Sequence, residues 1–270
     1  RVMAYLHGKV ENLIVSSADL SNSDKTEFFL KKTTAFKKGD FSGAFLQAGV
    51  AELTMAALCT GMSLHGGIIP VCATFFAFSD YMKPAMRVAA LMEQQVIFLW
   101  THDAFRVGED GPTHQPIEQE AQLRLLEKLK NHSHKNSLLA LRPADGPETT
   151  VAWRMALENN ATPTGLILSR QNVQEIPAMN RYQQAQSAMK GGYVVKNCNG
   201  KPDVILLGNG SEVATLVEGA DKLEKEKSLN VRIVSVPSEG VFRTQPTEYQ
   251  QSVLPNDVPR FGLTAGLSVN

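Results

Sequence analysis

The sequence predicts an α/β protein, in which a parallel sheet with helices on both faces is followed by a second, smaller α/β domain. Short apolar runs alternate with longer segments of helical periodicity between residues 13 and 168. This pattern is typical of parallel strands joined by crossover helices. A polar segment that contains Pro177 and precedes Gly191 and Gly192 interrupts the alternation. A shorter strand–helix–strand pattern follows, which predicts the second domain.

Each element follows from this alternation. The apolar runs predict strands at 13–16, 69–74, 96–101, 137–142 and 164–168. Apolar spacing of three to four residues predicts helices at 1–7, 50–63, 78–92, 118–130 and 147–159. In the second domain we expect a helix at 212–227 between strands at 203–207 and 231–236. The expected organisation is a larger α/β domain at 1–172, a linker at 173–190 and a truncated α/β domain at 191–270.

Composition places the chain among ordinary globular proteins. Of its 270 residues 43% are hydrophobic and 20% are charged, and 27 basic residues balance 27 acidic ones. This balance argues against nucleic acid or an anionic membrane as a partner. The three cysteines fit neither a zinc ribbon nor a disulfide framework, so we expect reduced thiols and a cytoplasmic location. Both ends stop inside predicted elements, which predicts a fragment.

The segment THDAFRVGEDGPTHQP at 101–116 has the densest set of polar side chains. It follows a predicted strand, and ligands bind beyond the carboxyl ends of parallel strands. His102 and His114, with the adjacent carboxylates Glu109 and Asp110, suit acid–base work on a polyol or a carbonyl. Asp-Gly and Gly-Pro also favour a tight turn, so a purely structural loop is equally compatible with the residues alone.

Glu52 lies among apolar residues in the predicted helix at 50–63. A carboxylate there is costly unless it is paired or neutral, and burial would raise its pKa. A protonated carboxyl could donate a hydrogen bond to a ring nitrogen. The alternative is a surface glutamate at the start of the helix, where the helix dipole favours it. Position alone favours that alternative.

Two further patterns are weaker. Phe75, Phe78 and Tyr81 recur every three residues, which is usually a core stripe but could form a wall against a flat heterocycle. Arg170 follows a predicted strand and suits either a phosphate or a structural salt bridge. The turn at 208–212 resembles a phosphate cradle but lacks a third glycine. The histidine pair at 132 and 134 has no evident third ligand, so no metal site is expected.

Taken together and in order, five segments resemble the transketolase family. They are SSADLSNSD, GVAELTMAALCTGMSLHGG, TFFAFSDY, THDAFRVGEDGPTHQP and PTGLILSRQN. The resemblance runs from about residue 13 to the end of the chain. Deoxyxylulose-phosphate synthases and 2-oxoacid dehydrogenase β subunits share the glutamate and the domain fold, but not this combination of motifs.

The resemblance implies a thiamine-diphosphate enzyme of the pentose phosphate pathway, a homodimer that uses sugar phosphates. It would transfer a two-carbon ketol unit from xylulose 5-phosphate to ribose 5-phosphate or erythrose 4-phosphate. Glu52 would hydrogen-bond the pyrimidine N1′ of the cofactor. The domain at 1–172 would be the family's pyrimidine-binding domain. Its pocket for the pyrimidine would be formed by Phe75, Phe78 and Tyr81, and Asp19 would lie near the cofactor.

The same resemblance implies the substrate contacts. His114 would face the C1 hydroxyl of the sugar and the cofactor amino group, and Asp110 would recognise the C2 hydroxyl. His102, Ser23 and Arg170 would bind the sugar phosphate. His65 corresponds to a histidine of the family's LHGG segment, without a defined role.

Other features of the family have no counterpart in the sequence. The diphosphate domain is missing, and with it the Gly-Asp-Gly motif and the Asp and Asn ligands for Mg²⁺ or Ca²⁺. Arg1 lies too close to the 17–19 motif to be the family's additional phosphate-binding arginine. We therefore expect one wall of an active site, inactive by itself. Alternatives are the C-terminal subunit of a split transketolase, a related enzyme such as deoxyxylulose-phosphate synthase, and a non-catalytic scaffold.

Overall fold

The first sheet has six parallel strands. The structure, a computed structural model, describes residues 2–108 and 110–267. The strands are β1 (Leu13–Ser17), β2 (Phe45–Gln47), β3 (Ile69–Phe75), β4 (Ile97–Thr101), β5 (Leu139–Leu141) and β6 (Thr164–Ile167). They lie in the order β2-β1-β3-β4-β6-β5, and every neighbouring pair is parallel. The predicted fold class is confirmed.

Helices cover both faces of this sheet. They are α1 (Val2–Leu6), α2 (Glu27–Leu30), α3 (Glu52–His65), α4 (Ser79–Leu91), α5 (Gln119–Lys128) and α6 (Gly146–Glu158). Side chains of α3, α4 and α5 share one apolar core with Phe98 and Trp100. Those of α1, α2 and α6 share a second core with Ile97 and Leu99. Successive strand residues point to opposite faces, so one apolar strand serves both cores.

The second domain is a smaller mixed sheet. Its strands are β7 (Tyr193–Lys196), β8 (Val204–Gly208), β9 (Val231–Ser235) and β10 (Arg260–Leu263), in the order β10-β8-β9-β7. Only β7 runs antiparallel among these pairs. The helices around it are α7 (Arg181–Ala185), α8 (Glu212–Lys227), α9 (Glu239–Arg243) and α10 (Thr247–Val253).

Three strands, β2, β7 and β10, are not predicted from the sequence. Each is an edge strand of three or four residues, and its conformation depends on pairing with one neighbouring strand more than on a pattern of its own. The segment expected as a linker, 173–190, contains α7 and a 3₁₀ turn at Gln186–Lys190. Arg181 and Ala185 of this segment are buried. Despite its polar composition, the segment is a structured connection that packs against the rest of the chain.

Two buried arginines occupy the junction between the two parts. Arg142, directly after β5, contacts Asp103 of the first part and Glu212 of the second. Arg181 forms ion pairs with Asp145 and Glu148 at the start of α6.

Among the described residues no helix is long and apolar enough to cross a membrane. The three cysteines are unpaired.

Candidate active site

Most of the predicted site residues meet at the carboxyl edge of the first sheet. Asp19 and Ser23 follow β1, Phe75 ends β3, His102 follows β4 and Arg170 follows β6. Parallel strands present their carboxyl ends at the same edge, where the connecting loops converge. The sheet thus brings together residues that lie far apart in the sequence.

Glu52 is the first residue of α3, not an interior residue as expected. Its side chain is nevertheless buried, with 8% of its surface exposed. Among the described residues, no side chain or backbone group hydrogen-bonds to its carboxylate. Neither carboxylate oxygen is among the fully buried atoms that lack a partner, so the carboxylate keeps access to the surface and is free to hydrogen-bond a ligand there. The helix-start alternative is right about the position and wrong about the exposure.

The aromatic residues form one connected group with the two histidines. Phe75 stacks on Phe78 with 5.8 Å between ring centroids, and Phe78 lies 6.0 Å from Tyr81. His114 meets Phe78 edge to face at 5.1 Å. The Tyr81 side chain is 61% exposed, so the group continues from the buried Phe75 to an open surface. An exposed aromatic face of this kind can stack against a flat ring.

His102 is held in a special backbone conformation. Its φ is +62°, in the left-handed region that a β-carbon disfavours. Its Nδ1 is 3.0 Å from the Thr101 hydroxyl oxygen, and its ring stacks on Phe75. The ring is buried, and its Nε2 lies 3.9 Å from Asp110 Oδ2. The imidazole is thereby fixed by contacts on three sides.

Burial lowers the pKa of His102 from 6.5 to about 4. The nearby Asp110 carboxylate raises the pKa, but less than burial lowers it. Positive charge from Arg170, His114 and Lys25 lowers it further. The imidazole is therefore neutral at pH 7 and can donate one hydrogen bond without carrying charge.

Asp110 lies between His102 and Arg170. Its Oδ2 is 4.0 Å from the Arg170 Nε, and both side chains are partly exposed. Gly108 has a φ of +83°, and a β-carbon there would come within 3.5 Å of the Arg170 guanidinium. That distance is an ordinary van der Waals contact, so the positive φ, rather than a lack of space, favours glycine at this position. Glu109, the other predicted carboxylate, lies outside the described residues, as does Arg1.

His114 ends a 3₁₀ turn at Pro112–His114 and is half-buried. Its Nδ1 is 2.9 Å from the Thr113 hydroxyl oxygen, which leaves Nε2 free of described hydrogen-bond partners. This arrangement repeats that of His102, whose Nδ1 also faces a preceding threonine. Each histidine can therefore direct Nε2 toward a ligand.

The loop after β1 contains a residue that the sequence did not single out. Asp24 is buried and accepts hydrogen bonds from the Ser17 hydroxyl and from the backbone and side chain of Thr26. Burial raises its pKa, against these hydrogen bonds. Asp24 thus holds the loop on which the exposed Asp19 and Ser23 lie. Its place within a polar run gave no signal of burial.

Other predicted features lie elsewhere. His65 is at the last residue of α3, and 13 helical residues from Glu52 correspond to about 20 Å. It belongs to the opposite edge of the sheet. The turn at 208–212 does not form an open cradle, because the Arg142 guanidinium fills it. No group of three His, Cys, Asp or Glu side chains in the described chain is placed to hold a metal ion.

Sequence comparison identifies both parts of the chain. The family description "Transketolase, pyrimidine binding domain" matches residues 1–175, and "Transketolase-like TK C-terminal domain" matches residues 191–270. The chain belongs to the transketolase family. A transketolase from Halalkalibacterium halodurans is 44% identical over 262 residues, which are 96% of this chain and 37% of the relative. The chain thus spans little more than a third of that transketolase.

Solved structures agree with this assignment. A transketolase from Pichia stipitis in complex with sedoheptulose 7-phosphate superposes with a TM-score of 0.87 at 34% identity, covering all of this chain and 38% of that one. A split-gene transketolase, described as an inactive β4 tetramer, superposes with a TM-score of 0.65 at 26% identity. That match covers 87% of this chain and 68% of the other. The match thus spans about two thirds of the split-gene chain, compared with 38% of the Pichia stipitis chain.

Proposed function

We propose that the complete protein is a thiamine-diphosphate-dependent transketolase of the pentose phosphate pathway. It would transfer a two-carbon ketol unit from xylulose 5-phosphate to ribose 5-phosphate or erythrose 4-phosphate. The observation that carries this proposal is Glu52, whose side chain is largely buried at the start of α3 while its carboxylate oxygens keep access to the surface, at the sheet edge of the aromatic group. Similarity to transketolases along the whole chain supports it.

The chain's own residues suit the pyrimidine end of the cofactor. When bound, thiamine diphosphate supplies the nucleophilic carbon that takes up and releases the two-carbon unit. The Glu52 carboxyl would share a proton with the pyrimidine N1′, which would satisfy its unpaired oxygens. Phe75, Phe78 and Tyr81 would stack on the ring, and Asp19 would lie beside it. The diphosphate and its Mg²⁺ or Ca²⁺ are assigned to a part of the protein outside this chain.

Two side chains would recognise the sugar hydroxyls. His114 has Nε2 available and would bind the C1 hydroxyl and hold or move its proton. Asp110 is partly exposed and would accept a hydrogen bond from the C2 hydroxyl, which selects its configuration. These hydrogen bonds orient the sugar, and orientation itself lowers the barrier of a two-substrate reaction.

The sugar phosphate would bind Ser23, His102 and Arg170. Arg170 supplies the charge and a planar fork that matches phosphate oxygens. His102 is neutral at pH 7 and would donate a hydrogen bond from Nε2. Ser23 is exposed in the loop after β1 and would add a hydroxyl donor. A phosphate next to His102 would also raise the pKa of this imidazole, which strengthens the contact.

A large apolar surface on α3 and α4 suits a protein partner. Leu53, Leu58 and Leu64 of α3 are each about half exposed, and Val88 and Leu91 of α4 are similar. Patches of this kind mark interfaces. We propose that they bind a second copy of the enzyme in a homodimer, or a complementary N-terminal chain in a split enzyme. A cytoplasmic location belongs to the same proposal.

Glu52→Gln in the complete enzyme tests the proposal. Glutamine has nearly the same shape but cannot share a proton, so we expect transfer from xylulose 5-phosphate to ribose 5-phosphate to fall at least about 100-fold. Glu27→Gln is the matched control, because Glu27 also lies in the first turn of a helix but forms an ion pair with Lys31 at the surface. Full activity of Glu52→Gln, with unchanged folding, would reject the proposed role of this chain.

The split-gene relative supports a second arrangement of the same function. If the chain is a natural C-terminal subunit, mixing it with the complementary N-terminal polypeptide should restore transfer. Failure of the two to associate would leave a single long polypeptide as the remaining arrangement. A related activity, that of deoxyxylulose-phosphate synthase, would instead require pyruvate and yield no product from xylulose 5-phosphate alone.

A further inference from the structure

Arg142 connects the second domain to the edge of the candidate active site. It directly follows β5, and its side chain is fully buried. On one side its Nε donates to Asp103 Oδ2 at 3.0 Å, and Nη2 lies 2.9 Å from the same oxygen. On the other side its Nη1 is 2.5 Å from Asn209 Oδ1 and 2.8 Å from Glu212 Oε2. One guanidinium thus contacts both domains.

The backbone around Arg142 is fixed as well. Its carbonyl accepts a hydrogen bond from Gly210 N, and its amide donates to Pro237 O. Gly210 has a φ of +56°, and a β-carbon there would lie 2.7 Å from the Arg142 Cζ. The second domain therefore has a pocket shaped for this side chain. Removing the guanidinium would leave the buried Asp103 without its ion-pair partner.

Asp103 is the residue next to His102. His102 keeps a left-handed backbone conformation, which is unfavourable unless the surroundings impose it. Two contacts hold His102 in this conformation. Its ring stacks on Phe75, and the side chain of the next residue, Asp103, is anchored by Arg142. An anchor on the neighbouring residue limits how far the imidazole can turn toward water.

We infer that Arg142 is a positioning residue that holds His102 in place through Asp103, so that the second domain supports the phosphate end of the substrate site. This rests on the proposed function only for the identity of the ligand. The second domain reaches the site through this contact. The ion pair orients a neutral imidazole that binds one part of the substrate.

A second buried arginine provides a matched control. Arg181 is almost as buried as Arg142 and also ties the two parts together. Its guanidinium pairs with Asp145 and Glu148 and donates to the Tyr193 hydroxyl. None of these residues follows or touches His102. Loss of either arginine should destabilise the fold, but only loss of Arg142 should change the position and the pKa of His102.

The first experiment follows the His102 imidazole by NMR in this chain. In Arg142→Met the pKa of His102 should rise from about 4 toward 6.5, because the ring gains access to water. The charged groups that face it, Asp110, Arg170, His114 and Lys25, stay unchanged. Arg181→Met should leave the pKa of His102 near 4. Asp103→Asn keeps the shape of the side chain and should shift the pKa of His102 in the same direction as Arg142→Met. If Arg142→Met does not fold, Asp103→Asn serves as the test.

The second experiment measures transfer in the complete enzyme. We expect Arg142→Met to raise KM for xylulose 5-phosphate about tenfold, the effect of one weakened charged hydrogen bond. It should leave kcat/KM for unphosphorylated xylulose within about twofold, because only the phosphate end is disturbed. The inference would be overturned if Arg142→Met lowered kcat/KM equally for xylulose 5-phosphate and for xylulose. The same selective loss for xylulose 5-phosphate in Arg181→Met would also overturn it.

An unchanged pKa of His102 in both Arg142→Met and Asp103→Asn would also overturn it. If the wild-type enzyme transfers no ketol unit, the proposed function fails. The NMR measurement then still decides whether Arg142 positions His102.

Discussion

The imidazole of His102 lies face to face with the ring of Phe75, with 3.7 Å between centroids and 27° between ring planes. Phe75 ends β3 and His102 directly follows the neighbouring parallel strand β4, in a register that pairs Phe75 with Thr101. The stack therefore follows from strand pairing, although 26 residues separate the two in the sequence. It buries the imidazole and keeps it neutral at pH 7.

The neutral state of His102 predicts a pH dependence of stability. Its pKa is about 4 in the folded chain and about 6.5 when unfolded, so the unfolded chain binds more protons between these values. The stability contribution is complete above pH 6.5 and is lost as pH falls toward 4, an effect on the order of 3 kcal/mol. The free energy of unfolding, measured with urea at several pH values in this range, should depend less steeply on pH in His102→Gln than in the wild type. His132→Gln, at an exposed site, should retain the wild-type slope.

Phe75→Leu should disturb the site more than the fold. Leucine keeps most of the buried apolar surface but removes the stacking on His102, worth about 0.5–1.5 kcal/mol. We expect weaker thiamine diphosphate binding to the complete enzyme and an altered NMR signal of His102. Phe98→Leu is the control, because Phe98 stacks on Trp100 in the core, away from this edge. It should lower stability by a similar amount and leave cofactor binding unchanged. Equal binding losses in both variants would contradict this assignment.

Gly210→Ala and Gly219→Ala should have opposite effects on stability. At Gly210 a β-carbon would collide with Arg142 and adopt a positive φ, which together cost about 2–4 kcal/mol. At Gly219, inside α8, a β-carbon meets no other atom, and alanine should stabilise the helix by up to about 1 kcal/mol. Urea midpoints measure both changes. A neutral Gly210→Ala would show that the junction rearranges easily.

The chain alone should bind thiamine diphosphate weakly. The side chains proposed here contact only its pyrimidine end, whereas charge-assisted contacts to diphosphate and metal contribute much of the affinity of such cofactors. Isothermal titration with Mg²⁺ present should give a Kd weaker than about 100 μM, and no ketol transfer should be measurable. Tight, Mg²⁺-dependent binding to the chain alone would contradict this prediction.

Periodicity predicts the parallel sheet and its main helices because long buried strands are continuous apolar runs. β3 and β4 are of this kind, and both were predicted to within about two residues. β2 was not, because three residues paired to β1 need no pattern of their own. Short edge elements take their conformation from neighbours that are distant in the sequence.

Sequence patterns single out only part of the candidate site, for a similar reason. The motif at 101–116 indicated His102 and Asp110 by its density of polar groups. Nothing local indicated that Asp24 would be buried or that Arg142 would reach Asp103, since both depend on contacts between separate segments. Glu52 needed the structure to separate its two interpretations, because a helix start is normally exposed. The left-handed conformation of His102 was also invisible in the sequence.

The exposed leucines of α3 have a practical consequence for handling the chain. Leu53, Leu58 and Leu64 would face water whenever no partner covers them. Exposed apolar surface promotes aggregation during expression and concentration. Co-expression with the rest of the enzyme should therefore raise the soluble yield, and a chain purified alone should scatter light at concentrations where the assembled enzyme stays clear. The same side chains that would stabilise the assembly would make the isolated chain prone to aggregate.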